Sequence, residues 1–163
     1  MSFEDRLQKA IQRGKRRGQA KEQEAAARAF SQEELKRMHS TSRVQLSEQI
    51  ERCIKQLPNY FPGFRFETIY GERGWGGACS RDDLRVSGQR RRENTYSRLE
   101  ITVRPYSPNL NVLELVGKGT SRNREVFSRT YFEKIEEADL EKFSELVNLW
   151  VLEYAELFAT KGD

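Results

Sequence analysis

The stretch Tyr96-Ser97-Arg98-Leu99-Glu100-Ile101-Thr102-Val103-Arg104 decides the fold. Leu99, Ile101 and Val103 alternate with Arg98, Glu100, Thr102 and Arg104. A period of two is what a half-buried strand needs, and a helix cannot supply it. The alternation also assigns a face to each residue. The aliphatic set should face a core, and the charged set, opposite in sign along the strand, should face water in cross-strand ion pairs.

Upstream, Phe64 to Gly71 repeats the pattern, with Phe64, Phe66 and Tyr70 alternating with Arg65 and Glu67. Further strands are expected at 78–87, 112–117 and 124–131. Turn chemistry separates them at Gly71 to Gly77, Gly88 to Asn94, Ser107-Pro108-Asn109 and Gly117 to Asn123. None of these connections is long enough for a crossover helix, so the strands should form an antiparallel meander.

Helical periodicity flanks this region on both sides. Leu35, Met38, His39, Leu46, Ile50, Cys53, Ile54 and Leu57 trace one face of a helix over 31–57, ahead of Pro58 and Pro62. Ser31 with Glu34 reads as a capping box, and Phe30 with Leu35 as its hydrophobic staple. Beyond the strands, Leu140, Phe143, Val147, Trp150, Tyr154, Leu157 and Phe158 line a second helix from about 138 to 159. The acidic residues Glu136, Glu137, Asp139 and Glu141 gather where its dipole favours them. The expected fold is therefore a two-layer α+β domain over 30–163. An antiparallel meander of about five strands is covered on one face by an N-terminal and a C-terminal helix.

Residues 1–29 read as a mobile basic arm. Ser2 can cap a short helix in which Phe3, Leu7 and Ile11 form a narrow apolar stripe. Gly14-Lys15-Arg16-Arg17-Gly18 is expected to end that helix. Residues 1–40 carry ten Lys and Arg against six Asp and Glu, while the remaining residues carry nineteen of each. The net charge of +4 thus belongs to the first forty residues. Basic arms of this kind contact nucleic acid, membrane surfaces or acidic partners.

Catalytic chemistry is hard to assemble from this sequence. The single histidine, His39, sits on an apolar helical stripe, and no nucleophile elbow is present. One His and two Cys without paired spacing cannot furnish a four-ligand zinc site. Cys53 continues an apolar stripe, and Cys79 lies in a strand. Gly71 to Gly77 runs into a strand rather than a helix, so it lacks the geometry of a phosphate loop and reads as a hairpin with Trp75 near its tip. Gly117-Lys118-Gly119-Thr120 reads as a turn. No catalytic residue, metal or cofactor is expected.

The leading expectation is a non-catalytic, cytoplasmic protein-interaction or adaptor module that docks through Phe3, Leu7 and Ile11. The alternative is sequence-tolerant binding of RNA or DNA by Lys9, Arg13, Lys15, Arg16 and Arg17 with the hairpin tip Arg90, Arg91 and Arg92. Arg73 and Trp75 are candidate loop contacts, and the Arg90 to Arg92 tip with Arg73, Arg81, Arg85 and Arg98 could make an arginine-rich end of the sheet. A third reading places a small-molecule cavity between helices and sheet, lined by Tyr60, Phe61, Phe64, Tyr70, Trp150 and Tyr154. The arm could also pair with itself in a homodimer. No run approaches the roughly 20 apolar residues of a membrane-spanning helix.

Overall fold

A computed structural model describes residues 2–86 and 92–160. The elements run α1 (Phe3–Ile54), α2 (Leu57–Tyr60), β1 (Arg65–Ile69), β2 (Trp75–Val86), β3 (Arg92–Val103), β4 (Val112–Ser121), β5 (Arg124–Lys134), a 3-10 turn (Ile135–Glu137) and α3 (Leu140–Ala159). The chain divides into two compact units, Met1–Arg37 and Met38–Asp163.

The first unit is helical. Ser2 caps it as the sequence implies: the Asp5 amide donates to Ser2 Oγ at 3.3 Å, and Ser2 Oγ donates to Asp5 at 3.0 Å. Gly14 and Gly18 do not end the helix, which is a correction to the sequence reading. Each glycine costs about 1 kcal/mol against alanine, while the flanking QKAIQR and QAKEQEAAARA are strong helix formers with no proline among them. Ser31 likewise lies inside α1 rather than at an N-cap. Inside a helix the amides a capping box would satisfy already bond to carbonyls one turn back. The side chain of Phe30, half of the expected staple, lies outside the described residues.

In the second unit the five strands form one antiparallel sheet in the order β1-β2-β3-β4-β5. The register puts Cys79 opposite Leu99, Gly77 opposite Ile101 and Leu115 opposite Val103, so these residues share one face. That face is the core. Leu99, Ile101, Val103 and Leu115 are fully buried with Ile50 and Ile54 of α1 and Phe143 and Val147 of α3. Burying each such side chain contributes roughly 1.5–3 kcal/mol. The parity read from the Tyr96 to Arg104 stretch holds.

Four boundaries differ from expectation. α1 stops at Ile54, and Pro58 sits in the first turn of α2, where its missing amide costs nothing. β2 begins at Trp75 and β3 at Arg92, so both strands of that hairpin are longer than their alternation shows. Residues 87–91, where the expected hairpin tip falls, lie outside the described residues. β4 runs straight through Gly117 and Gly119, and the turn comes at Arg122 and Asn123, whose φ values of 49° and 72° suit a tight two-residue hairpin. The glycines serve packing instead: a Cβ on Gly117 would stand 2.8 Å from the Trp150 and Phe127 rings, and one on Gly119 2.7 Å from Tyr154.

Candidate functional site

In the first unit, Phe3, Leu7 and Ile11 are 76%, 48% and 50% exposed. At 3.6 residues per turn they share one side of the helix with Gly14 and Gly18. Lys9, Gln12, Arg13 and Arg16 line a depression on roughly the opposite side. Lys15 and Arg17 are exposed on the same stretch. Because the helix continues through both glycines, the apolar stripe and the cationic side are two faces of one rod. The sequence reading ends the helix at Gly14 and so leaves Lys15, Arg16 and Arg17 beyond it.

The other cationic candidates belong to the second unit. Arg90 and Arg91 lie outside the described residues, and Arg92 is the first residue of β3. Arg73 is held by Glu100 at 3.0 Å, and Arg98 by Glu67 at 2.7 Å and Glu100 at 3.5 Å. Arg104 pairs with Glu114 at 2.9 Å. These pairs are the charge alternation of the water-facing sheet surface made physical, and they compensate Arg73, Arg98 and Arg104. Arg81 turns to the other face. It donates to the Pro62 carbonyl at 3.1 Å, pairs with Asp83 at 3.0 Å and lies over the rings of Phe64 and Phe158. The expected arginine-rich end of the sheet is therefore not one surface.

Trp75 is not a loop residue, which corrects the expected place near a hairpin tip. It opens β2 opposite Val103, half-buried, with the Arg43 guanidinium 4.0 Å above its ring. Cation–π stacking of this kind is worth about 0.5–2 kcal/mol and spends the tryptophan on holding α1 to the sheet.

The histidine and both cysteines of the second unit are held in structural contacts. His39 is buried, bonds the Arg104 carbonyl through Nε2 at 3.1 Å and meets the edge of Tyr106. Burial lowers its pKa below the ordinary value, and Arg43 adds to the effect against the carbonyl bond. A carbonyl only accepts, so Nε2 carries the proton of this bond. Cys79 is fully buried, and desolvation pushes its thiol up to about 12. Cys53 is half-buried, its thiol raised by burial, and it donates to Asn148 at 3.3 Å. Neither thiol is held as a thiolate. Among the described residues no group of His, Cys, Asp and Glu is arranged to hold a metal ion.

The aromatics expected to line a cavity are split. Tyr60 and Tyr70 are 76% exposed, whereas Phe64, Trp150 and Tyr154 are buried in packing contacts. Phe61, Phe64 and Phe158 close on one another edge to face. A concavity of about 440 Å³ is instead lined by helical residues, among them Cys53, Leu57, Tyr60, Val151 and Leu152. No described helix is long and apolar enough to cross a membrane. No family model, curated protein or solved structure matches this chain.

Proposed function

We propose that this chain is a non-catalytic protein-interaction module that docks through the amphipathic helix at its N-terminus. The observation that carries the reading is the exposed stripe of Phe3, Leu7 and Ile11 on a capped helix with cations on its other side. Three large apolar side chains at one-turn spacing are the anchors an amphipathic helix lays into a groove. The cationic side favours a partner with an acidic rim, where charge raises the association rate more than the affinity. The non-catalytic part rests on the second unit, whose histidine and Cys79 are enclosed by structural contacts.

A photo-crosslinking residue at Leu7 should capture one defined protein. The same residue at Gln12 should not, and capture should vanish when Phe3 and Ile11 are changed to Ser. Equal capture from both positions counts against an oriented docking face.

A second reading has its own observation, the gathering of Lys9, Arg13 and Arg16 on one side of the helix. It makes the arm a phosphate-backbone binder. Fluorescence anisotropy with generic labelled RNA and duplex DNA separates the two. Micromolar binding that collapses with salt and with Lys9, Arg13 and Arg16 changed to Gln would replace the docking reading.

A further inference from the structure

The sheet is open, and β5 is one of its edges, eleven residues long without Pro or Gly. Two hydrogen bonds reveal which of its backbone groups face outward. The Arg104 amide donates to the Glu114 carbonyl, so even-numbered residues of β4 turn to β3 and odd-numbered ones to β5. The Ile135 amide donates to the Asn111 carbonyl, so Arg129, Tyr131 and Glu133 spend their backbone groups on β4. Ser128, Thr130, Phe132 and Lys134 therefore present theirs at the free edge. The register shift between Gly119 and Thr120 disturbs only the start of β5, leaving 128–134 regular.

Natural edges of this length are blunted by proline, bulges or inward charges, and this half of β5 has none of the first two. Its own sequence supplies a complement. Two copies running antiparallel about a two-fold axis at Tyr131 place Thr130 opposite Phe132 and Ser128 opposite Lys134. Both of those pairs are outward-facing backbones that can exchange hydrogen bonds. The same register puts Arg129 of each copy opposite Glu133 of the other. Centring the axis on Arg129 would instead oppose Glu125 with Glu133 and Arg124 with Lys134, like against like.

Arg129 already bonds Glu153 at 2.8 Å and the Ser128 carbonyl at 3.2 Å. Glu133 accepts from Tyr131 and from the Asp139 amide at 3.1 Å. A guanidinium has five N–H donors, and both a carboxylate and a carbonyl accept more than one bond, so these contacts can persist in the pair. Phe132, 61% exposed, would be covered by Thr130 of the second copy. We infer that the chain forms a two-fold dimer by β5–β5 pairing centred on Tyr131, which joins the two sheets into one. This edge shares no residue with the Phe3, Leu7 and Ile11 stripe, and its test is independent of that reading.

Thr130→Pro is the informative variant. It removes only an outward amide, so the ladder to β4 is retained while pairing is blocked. Sedimentation of the full chain should show a concentration-dependent dimer. Thr130→Pro should weaken it by roughly 100-fold or more with an unchanged circular dichroism spectrum. Tyr131→Cys provides a second measurement. At a non-hydrogen-bonded pair the two Cα atoms stand ~4.5 Å apart, within disulfide range. Mild oxidation should cross-link this variant and not the wild type, which carries Cys53 and Cys79. A wild-type chain that stays monomeric overturns the inference. So does a Thr130→Pro chain that dimerises like wild type, or a folded Tyr131→Cys that does not cross-link.

Discussion

Gly14 and Gly18 in the first unit and Gly117 and Gly119 in the second form two pairs of the same residue type, each of which the sequence alone presents as a break in structure. All four turn out to lie inside regular elements, for opposite reasons. A Cβ added to Gly14 or Gly18 would meet nothing within 4 Å, whereas one added to Gly117 or Gly119 would strike the rings of Trp150, Phe127 and Tyr154. The first pair is tolerated by the helix, and the second is required by the core. A glycine in a strand marks close approach of something bulky, while a glycine in an exposed helix marks only a local penalty.

Substitution separates the two pairs by sign. Gly119→Val should destabilise the second unit by about 3 kcal/mol, because Tyr154 cannot retreat without breaking its bond to the Thr120 carbonyl at 2.7 Å. Urea denaturation would read this, and an unchanged midpoint would show that α3 does not rest on β4 as described. Gly14→Ala with Gly18→Ala should do the reverse, stabilising the exposed helix by about 1 kcal/mol per site. Amide exchange over residues 3–30 should slow, while the urea midpoint of the second unit stays put. Tyr154→Phe sharpens the strand side of the comparison. It keeps the ring over Gly119 and deletes only the hydroxyl's bond, so it should cost about 1 kcal/mol.

The gentlest effect is a slope with pH. The folded chain holds His39 below its ordinary pKa, so the unfolded chain binds a proton more readily in mildly acidic solution. Stability should be complete above about pH 6.5 and fall as pH drops below that toward the lowered folded value. His39→Gln should flatten this part of the profile. A profile identical to wild type would mean that the ring is solvated rather than enclosed beside Arg43 and Tyr106.

Much of the second unit is legible in the chain because period-two alternation carries both element type and facing. Leu99, Ile101 and Val103 announce the core, and Arg98, Glu100 and Arg104 announce the ion pairs on the opposite surface. What the sequence hides is complementarity between distant elements. Gly117 and Gly119, two apart on a strand, match Trp150 and Tyr154, four apart on a helix, and neither spacing is informative by itself. Trp75 misleads for the same reason, since its partner Arg43 is distant in sequence. The stripe of Phe3, Leu7 and Ile11 was readable from its spacing. Its extension over a continuous helix was not, because the two glycines mask strong propensity on either side. The free amides of β5 leave no trace in residue identity at all, since only the pairing of β4 decides which of them point outward.

Gln49 donates to the Ser144 carbonyl at 2.8 Å and to Asn148 at 3.2 Å, so the end of α1 is fastened to α3 across nearly the whole second unit. This fastening has a consequence for synthesis. Each strand of a meander can pair with its predecessor as it emerges, but α3 follows all five strands. Until it emerges, Gly117 and Gly119 open onto an uncovered aliphatic surface that α1 cannot shield by itself. A chain whose α3 has not yet docked would carry its sheet with one apolar face exposed, a species prone to sticking to its neighbours on a crowded polysome. Slow translation ahead of residue 140 should lower the soluble yield, and chaperones that hold apolar surface should restore it.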